Sequence, residues 1–403
     1  MSAAAEPIYL DHAATTPVDP RVAEHMSACL GAGATFGNPG SDHAWGRTAA
    51  AEVDTAAAAV GELIGGDPAG VIWTSGATEA DNLALLGAGR FALARGRGHH
   101  LITGRTEHAA VLEAAACLER EGMRVTRLLP DTPDGRVSPE AVAAALCDDT
   151  ALVSLMHVNN ETGTAHDIAA IAALLRDHPA LFHVDAAQSA GRLPLSVADW
   201  GVDLLSLSAH KLYGPKGAGV LWRRPRPAVR LQPLFHGGGQ QGGVRPGTLP
   251  VALIAGMGTA CRLAATEREA EARRLSALRA RLRERLLAMG GVVVNGHDAG
   301  SPHILSVTIE GVHGDALRAD LPRLGVSSGA TCGGGADGSH VLRALGVSPT
   351  LANATLRLSF GRGTSAAELD TAAAAIEGSV HRLRAFSPVW RRREPAAPAG
   401  APS

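Results

Sequence analysis

Leu204-Leu205-Ser206-Leu207-Ser208-Ala209-His210-Lys211-Leu212-Tyr213-Gly214-Pro215-Lys216-Gly217 opens as an apolar run and ends in a Gly/Pro turn. Leu181-Phe182-His183-Val184-Asp185-Ala186-Ala187-Gln188, upstream, has the same shape: a short apolar run closed by a polar residue. Runs of four to eight apolar residues bounded by turn signals read as strands buried on both faces. Five more candidates lie at 71–75, 100–103, 125–129, 151–158 and 219–222. Ala/Leu-rich helical patterns alternate with them at 79–95, 109–120 and 165–177. This alternation predicts an α/β protein with a seven-stranded, mostly parallel sheet covered by helices on both faces. Ligands of such sheets bind beyond the carboxyl ends of the strands. Asp185, Ser208, His210 and Lys211 fall there.

Further along, 257–289 is rich in Ala, Arg, Glu and Leu and reads as one helix or two crossing between domains. Runs at 292–294, 303–309 and 356–360 read as strands of a smaller α+β domain. The predicted division is a large domain at 15–260 and a small one made of 1–14 and 261–390. The stretch 391–403, basic and then Pro/Ala/Gly-rich, is expected to be a disordered tail.

Composition excludes several classes. The chain has 403 residues, with 37 Lys+Arg against 39 Asp+Glu, so it lacks the basic excess of a nucleic-acid binder. Five Trp, two Tyr and six Phe leave little for base-stacking platforms. The cysteines are Cys29, Cys117, Cys147, Cys261 and Cys332; no C-x-x-C occurs, which argues against a zinc ribbon, and no metal site is expected. No basic n-region, signal-like apolar stretch or membrane-length run appears, so the expected location is the cytoplasm, where thiols stay free.

Five segments carry candidate chemistry. Thr74-Ser75-Gly76-Ala77-Thr78-Glu79-Ala80-Asp81 leads a strand into a helix; Thr78 and Asp81 fit a capping box, and the helix start could equally receive an anion. Asp185 is either a structural carboxylate or an acid facing the cationic ring nitrogen of pyridoxal phosphate (PLP). Lys211 is either a solvated turn lysine or an amine placed for a Schiff base with an aldehyde cofactor. Ser208-Ala209-His210-Lys211 also matches S-x-x-K, but the S-D-N and K-T-G partners of that motif are absent. Gly237-Gly238-Gly239-Gln240-Gln241-Gly242 matches G-x-G-x-x-G without following a clear strand or opening a helix, so a dinucleotide site fails on context. Ser327-Ser328-Gly329-Ala330-Thr331-Cys332-Gly333-Gly334-Gly335 sets a cysteine among small residues. Structural cysteines sit instead in apolar patterns such as those around Cys117 and Cys261.

In this order, these segments resemble the cysteine desulfurases of the NifS/IscS type, PLP enzymes of the class V aminotransferase family. Further matching stretches are Tyr9-Leu10-Asp11-His12-Ala13-Ala14-Thr15-Thr16-Pro17, Thr106-Glu107-His108 and Met156-His157-Val158-Asn159-Asn160-Glu161-Thr162-Gly163. Arg245-Pro246-Gly247-Thr248 and Arg357-Leu358-Ser359 match as well, and the resemblance covers roughly residues 8–390. It implies PLP-dependent transferase fold type I and a homodimer. It implies removal of sulfur from L-cysteine, giving L-alanine and a persulfide on Cys332 for an acceptor protein of unknown identity.

By the same resemblance, Lys211 carries the cofactor, Asp185 holds its ring nitrogen and Gln188 its ring hydroxyl. Asn160 contacts ring or substrate, and His108 stacks on the ring and moves protons. Ala77, Thr78, Ser208 and His210 hold the phosphate, with Thr248 arriving from the partner subunit. Arg357 pairs with the substrate carboxylate, and Cys332 is the nucleophile. Related alternatives are a selenocysteine lyase or another class V lyase or transaminase; a different class is a non-catalytic scaffold of a sulfur-transfer complex. Gln240-Gln241-Gly242-Gly243 stands where family members often carry an acidic and a basic residue. Ser387-Pro388-Val389-Trp390 runs into a Pro/Ala tail that differs from that of housekeeping members, leaving iron–sulfur assembly, tRNA or DNA thio-modification and biosynthesis open as pathways.

Overall fold

The computed structural model describes residues 6–32, 35–297, 300–328 and 338–391. A short strand, β1 (Ile8–Tyr9), precedes the main sheet. That sheet is built from β2 (Val71–Thr74), β3 (His100–Gly104), β4 (Arg124–Leu128), β5 (Thr150–Met156), β6 (Leu181–Asp185), β7 (Leu204–Ser208) and β8 (Gly219–Arg223). Their order is β2-β8-β7-β6-β5-β3-β4. Only β8 opposes its neighbours; β7, β6, β5, β3 and β4 run parallel. Every residue of β5 and β7 is buried, as central parallel strands covered on both faces require. All seven expected strands form, with ends shifted by a residue or two.

A second sheet, of order β12-β10-β9, contains β9 (Val292–Asn295), β10 (Ile304–Ile309) and β12 (Thr355–Ser359), all antiparallel. β11 (Leu324–Gly325) pairs in parallel with β1. Leu10, Leu305, Leu358, Phe360 and Ile376 fill the core beside this smaller sheet. The 257–289 pattern is one helix, Val251–Leu287, of 37 residues. At ~1.5 Å per residue it runs about 55 Å. That length serves two cores: Cys261 and Ala264 pack under the large sheet, and Leu275, Leu282 and Leu286 under the small one.

Two local expectations change. The helix expected at 165–177 is Ile168–Leu175, because Ala165 is drawn into a bridge with Val158 and Asp167 caps the helix by accepting the Ala170 N–H at 3.0 Å. The Thr78/Asp81 capping box does not form. The helix Ala77–Arg95 starts two residues earlier than expected, with Gly76 as N-cap and no side-chain cap; Glu79 reaches back to the Ser75 N–H at 2.7 Å, while Asp81 turns inward and is buried. Among the described residues no helix is long and apolar enough to cross a membrane.

Phe182, on β6, is 1% exposed in the core of the large sheet. Phe182→Ala is expected to cost about 3–5 kcal/mol by leaving a cavity in close packing. A denaturant midpoint that does not fall would contradict that placement.

Candidate active site

The carboxyl ends of β5, β6 and β7 open into a cavity of about 470 Å³. The last residues of β6 and β7, Asp185 and Ser208, are polar and both reach this edge. Lys211 follows on the short turn Ala209–Lys211, held in that position by the Leu212 N–H bonding back to the Ala209 carbonyl. Its Nζ donates to the carbonyls of Ala13 and Ala14, the latter at 2.8 Å. Gln188 Nε2 donates to the same Ala13 carbonyl at 2.9 Å. The segment 13–15 thus forms one wall, although it lies nearly 200 residues away in sequence.

Asp185 is buried and accepts the Ala187 N–H at 2.9 Å. Burial pushes its carboxyl above the ordinary range, while the Ala187 bond, His108 and Lys211 oppose that push. His108 is the N-cap of the helix Ala109–Arg120: its Nδ1 accepts the Ala110 N–H at 3.2 Å, which fixes the ring at the cavity. His210 Nδ1 lies 3.1 Å from Thr15 Oγ1, and burial pulls its pKa down to about 4.

The first turn of Ala77–Arg95, with Ala77 and Thr78, faces the cavity. No side chain caps it, so its N–H groups are available to an anion. Ser208 Oγ is buried and has no hydrogen-bond partner among the described residues. β8 must pass close to this turn: a Cβ on Gly219 would stand 2.5 Å from Gly76 Cα, so only glycine fits there.

Arg357, on β12, reaches the cavity from the smaller sheet. Its Nη2 pairs with Asp11 at 2.7 Å, its Nη1 donates to the Asn160 carbonyl at 2.9 Å, and its buried Nε has no acceptor among the described residues. These contacts hold the guanidinium plane while leaving further N–H groups for a ligand.

Of the residues expected at the site, Ala77, Thr78, His108, Asn160, Asp185, Gln188, Ser208, His210, Lys211 and Arg357 line this one cavity. Thr248 does not; it is exposed, three residues beyond Arg245, which pairs with Glu79 at 2.8 Å. Cys332 lies outside the described residues. The chain is described again from Gly338, where the Ser339 hydroxyl donates to the buried Glu161, whose carboxyl burial pushes up to about 7. Gln241, at the departure from the family pattern, works as a strand mimic: its amide accepts the Trp73 N–H at 2.6 Å and donates to the Trp73 carbonyl at 3.1 Å on β2.

The sequence reading missed the lysine-holding carbonyls of Ala13 and Ala14, the Asp11 clamp on Arg357, and the inward turn of Asp81. The first two lay within a quoted motif; for Asp81 the only signal was its place on the helix face three residues after Thr78.

The aminotransferase class-V family model matches residues 8–371. The chain belongs to this family. It is 49% identical over 387 residues to the cysteine desulfurase IscS of Ectopseudomonas mendocina, covering 95% of each chain. Among solved structures, a NifS-like protein superposes with a TM-score of 0.86 at 33% identity, covering 93% of this chain and all of that one. SspA, in complex with cysteine, superposes with a TM-score of 0.76 at 34% identity over 88% of this chain and 98% of that one. The family and the fold type expected from the sequence are therefore those observed.

Proposed function

We propose that the chain is a PLP-dependent cysteine desulfurase that passes the sulfur of L-cysteine, through Cys332, to an acceptor protein. The observation that carries this reading is the convergence of Lys211, Asp185 and Arg357 on one cavity. An amine, an acid and a carboxylate-binding guanidinium are what a PLP enzyme acting on an amino acid needs. The relatives named cysteine desulfurase support the choice of substrate.

The residues present fit the cofactor. The partnerless Ser208 hydroxyl and the uncapped start of Ala77–Arg95 suit a phosphate, with His210 beside them. Asp185 suits a cationic ring nitrogen, Gln188 the ring hydroxyl and His108 the ring face. Bound PLP supplies an electron sink for the substrate Cα.

Arg357 then binds the substrate carboxylate, with Asn160 beside it. Lys211 is the amine placed to take and return the Cα proton, and His108 stands close enough to the site to help move protons. Cys332 attacks the substrate sulfur as a thiolate: the S–S bond forms as the C–S bond breaks, and the substrate carbon regains a proton. The sum is cysteine plus thiol giving alanine plus persulfide, with atoms balanced. Thr248 completes the phosphate site of a neighbouring copy in a homodimer. The same reading takes 15–260 as the large domain, and 1–14 with 261–390 as the small one. Free thiols suit a reducing compartment, and the cytoplasm is the proposed location.

The test is to supply purified protein with PLP and L-cysteine and measure both products. Alanine and transferable sulfur should appear one to one. Alanine without protein-bound sulfur, or a keto acid in its place, would redirect the reading to another reaction of the family. Arg357→Lys should raise the KM for cysteine about tenfold to hundredfold, with a smaller change in kcat, since a charge-assisted fork is lost from binding. An unchanged KM would remove Arg357 from the substrate site.

A further inference from the structure

We propose that Asp81 stands protonated and neutral beside Asp185, so that the two buried carboxyls hold one negative charge and it resides on Asp185. Asp81 lines the same cavity and is 1% exposed. Its Oδ1 has no hydrogen-bond partner among the described residues. The basic group facing it is His183 on β6, whose Nε2 lies 3.6 Å away, beyond hydrogen-bond reach.

His183 offers no charge. Its Nδ1 lies 2.9 Å from Ser154 Oγ and its Nε2 2.9 Å from Ser206 Oγ, and full burial pulls its pKa down to about 3. The other groups that face Asp81 are Asp185 on β6 and Glu107 after β3, both acidic, and the Ser206 hydroxyl on β7. A buried carboxylate with no cation and two acidic neighbours takes up a proton. Burial and Asp185 raise Asp81, and the Ser206 hydroxyl opposes them more weakly.

Asp185 is placed differently. It accepts the Ala187 N–H at 2.9 Å and faces Lys211 and His108, which favour its ionised form. Two interacting carboxyls whose surroundings differ divide into an acid and a carboxylate. The consequence for the reaction rests on the function proposed above: a cationic ring nitrogen meets one negative charge. Asp81 acts there as a positioning residue, through Asp185, by withholding a second charge.

The experiment is infrared spectroscopy of the protein labelled with ¹³C-aspartate, at neutral pH, before and after PLP is added. Isotope labelling separates aspartic acids from the buried glutamic acids Glu107 and Glu161. Wild type should show an isotope-shifted protonated-carboxyl C=O stretch; Asp81→Asn should lose it and Asp185→Asn should keep it. If Asp81→Asn does not fold, the band in wild type and its survival in Asp185→Asn still decide. Absence of the band in wild type, its loss in Asp185→Asn, or its survival in Asp81→Asn overturns the proposal. Failure of the cofactor reading shows separately, as no visible absorption retained by the protein once excess PLP has been removed, and leaves the protein's own band readable.

Discussion

Lys211→Ala is expected to lower alanine formation by about 10⁴-fold or more and to abolish the visible absorption of the lysine-bound cofactor. Other amines near the cavity cannot substitute. Lys216 lies five residues on, past the Gly214-Pro215 turn, and also lines the cavity, but it is the Nζ of Lys211 that the carbonyls of Ala13 and Ala14 hold. The turn itself does not depend on the amine: it is closed by backbone bonds from Leu212 and Gly214 to the Ala209 carbonyl, at 3.0 and 2.9 Å. The variant should therefore stay folded and, by sedimentation, dimeric. Near-normal alanine release from it would sink the assignment, and a monomeric wild type that is fully active would sink the composite site.

Lys211 and Asp185 could be found from the sequence because buried parallel strands are local signals: a mostly apolar run has to stop somewhere, and the polar residue at its carboxyl end marks the edge where ligands bind. The same logic placed Ser208. The capping pattern at Thr78 was misleading because spacing along a helix says which residues share a face without saying which way the face turns; packing against β6 and β7 turned Asp81 inward. The clamps on Lys211 and Arg357 were out of reach for another reason. Ala13 to Lys211 spans 198 positions and Asp11 to Arg357 spans 346, so both contacts depend on how the amino-terminal segment threads between the sheets. Gln241 looked like the loss of a family feature, and its bonds to the exposed edge of β2 could be read only once the sheet order was known.

Cys332→Ala should still bind PLP and L-cysteine, because Lys211, Asp185 and Arg357 are untouched, but it should form no protein persulfide and release no sulfur. The argument is by chemistry and by position. An ordinary thiol, of pKa ~8.5, must be ionised to attack sulfur, and it must reach the cavity. None of the four described cysteines lines that cavity. Cys261 is fully buried, and burial pushes its thiol up to about 12, which keeps it unreactive. Cys29 is buried as well. Cys117 sits on the helix Ala109–Arg120, with its Sγ donating to the Glu121 carboxylate at 3.4 Å, and does not line the cavity. Cys147 is the chemical rival: the Thr150 hydroxyl and the Arg124 guanidinium, 3.1 Å from its Sγ, pull its thiol below the ordinary range. It stands before Thr150, however, at the amino end of β5, while the cavity opens beyond Met156 at the other end. Six steps of ~3.3 Å put the two ends of that strand about 20 Å apart, too far for direct attack. Cys332 is left, in the segment where Ser, Thr and Gly surround it. Mass spectrometry after exposure to cysteine should therefore map the added sulfur to Cys332, and Cys147→Ser should turn over as wild type does. Added sulfur on Cys147, or wild-type sulfur release from Cys332→Ala, would show that the nucleophile is another thiol.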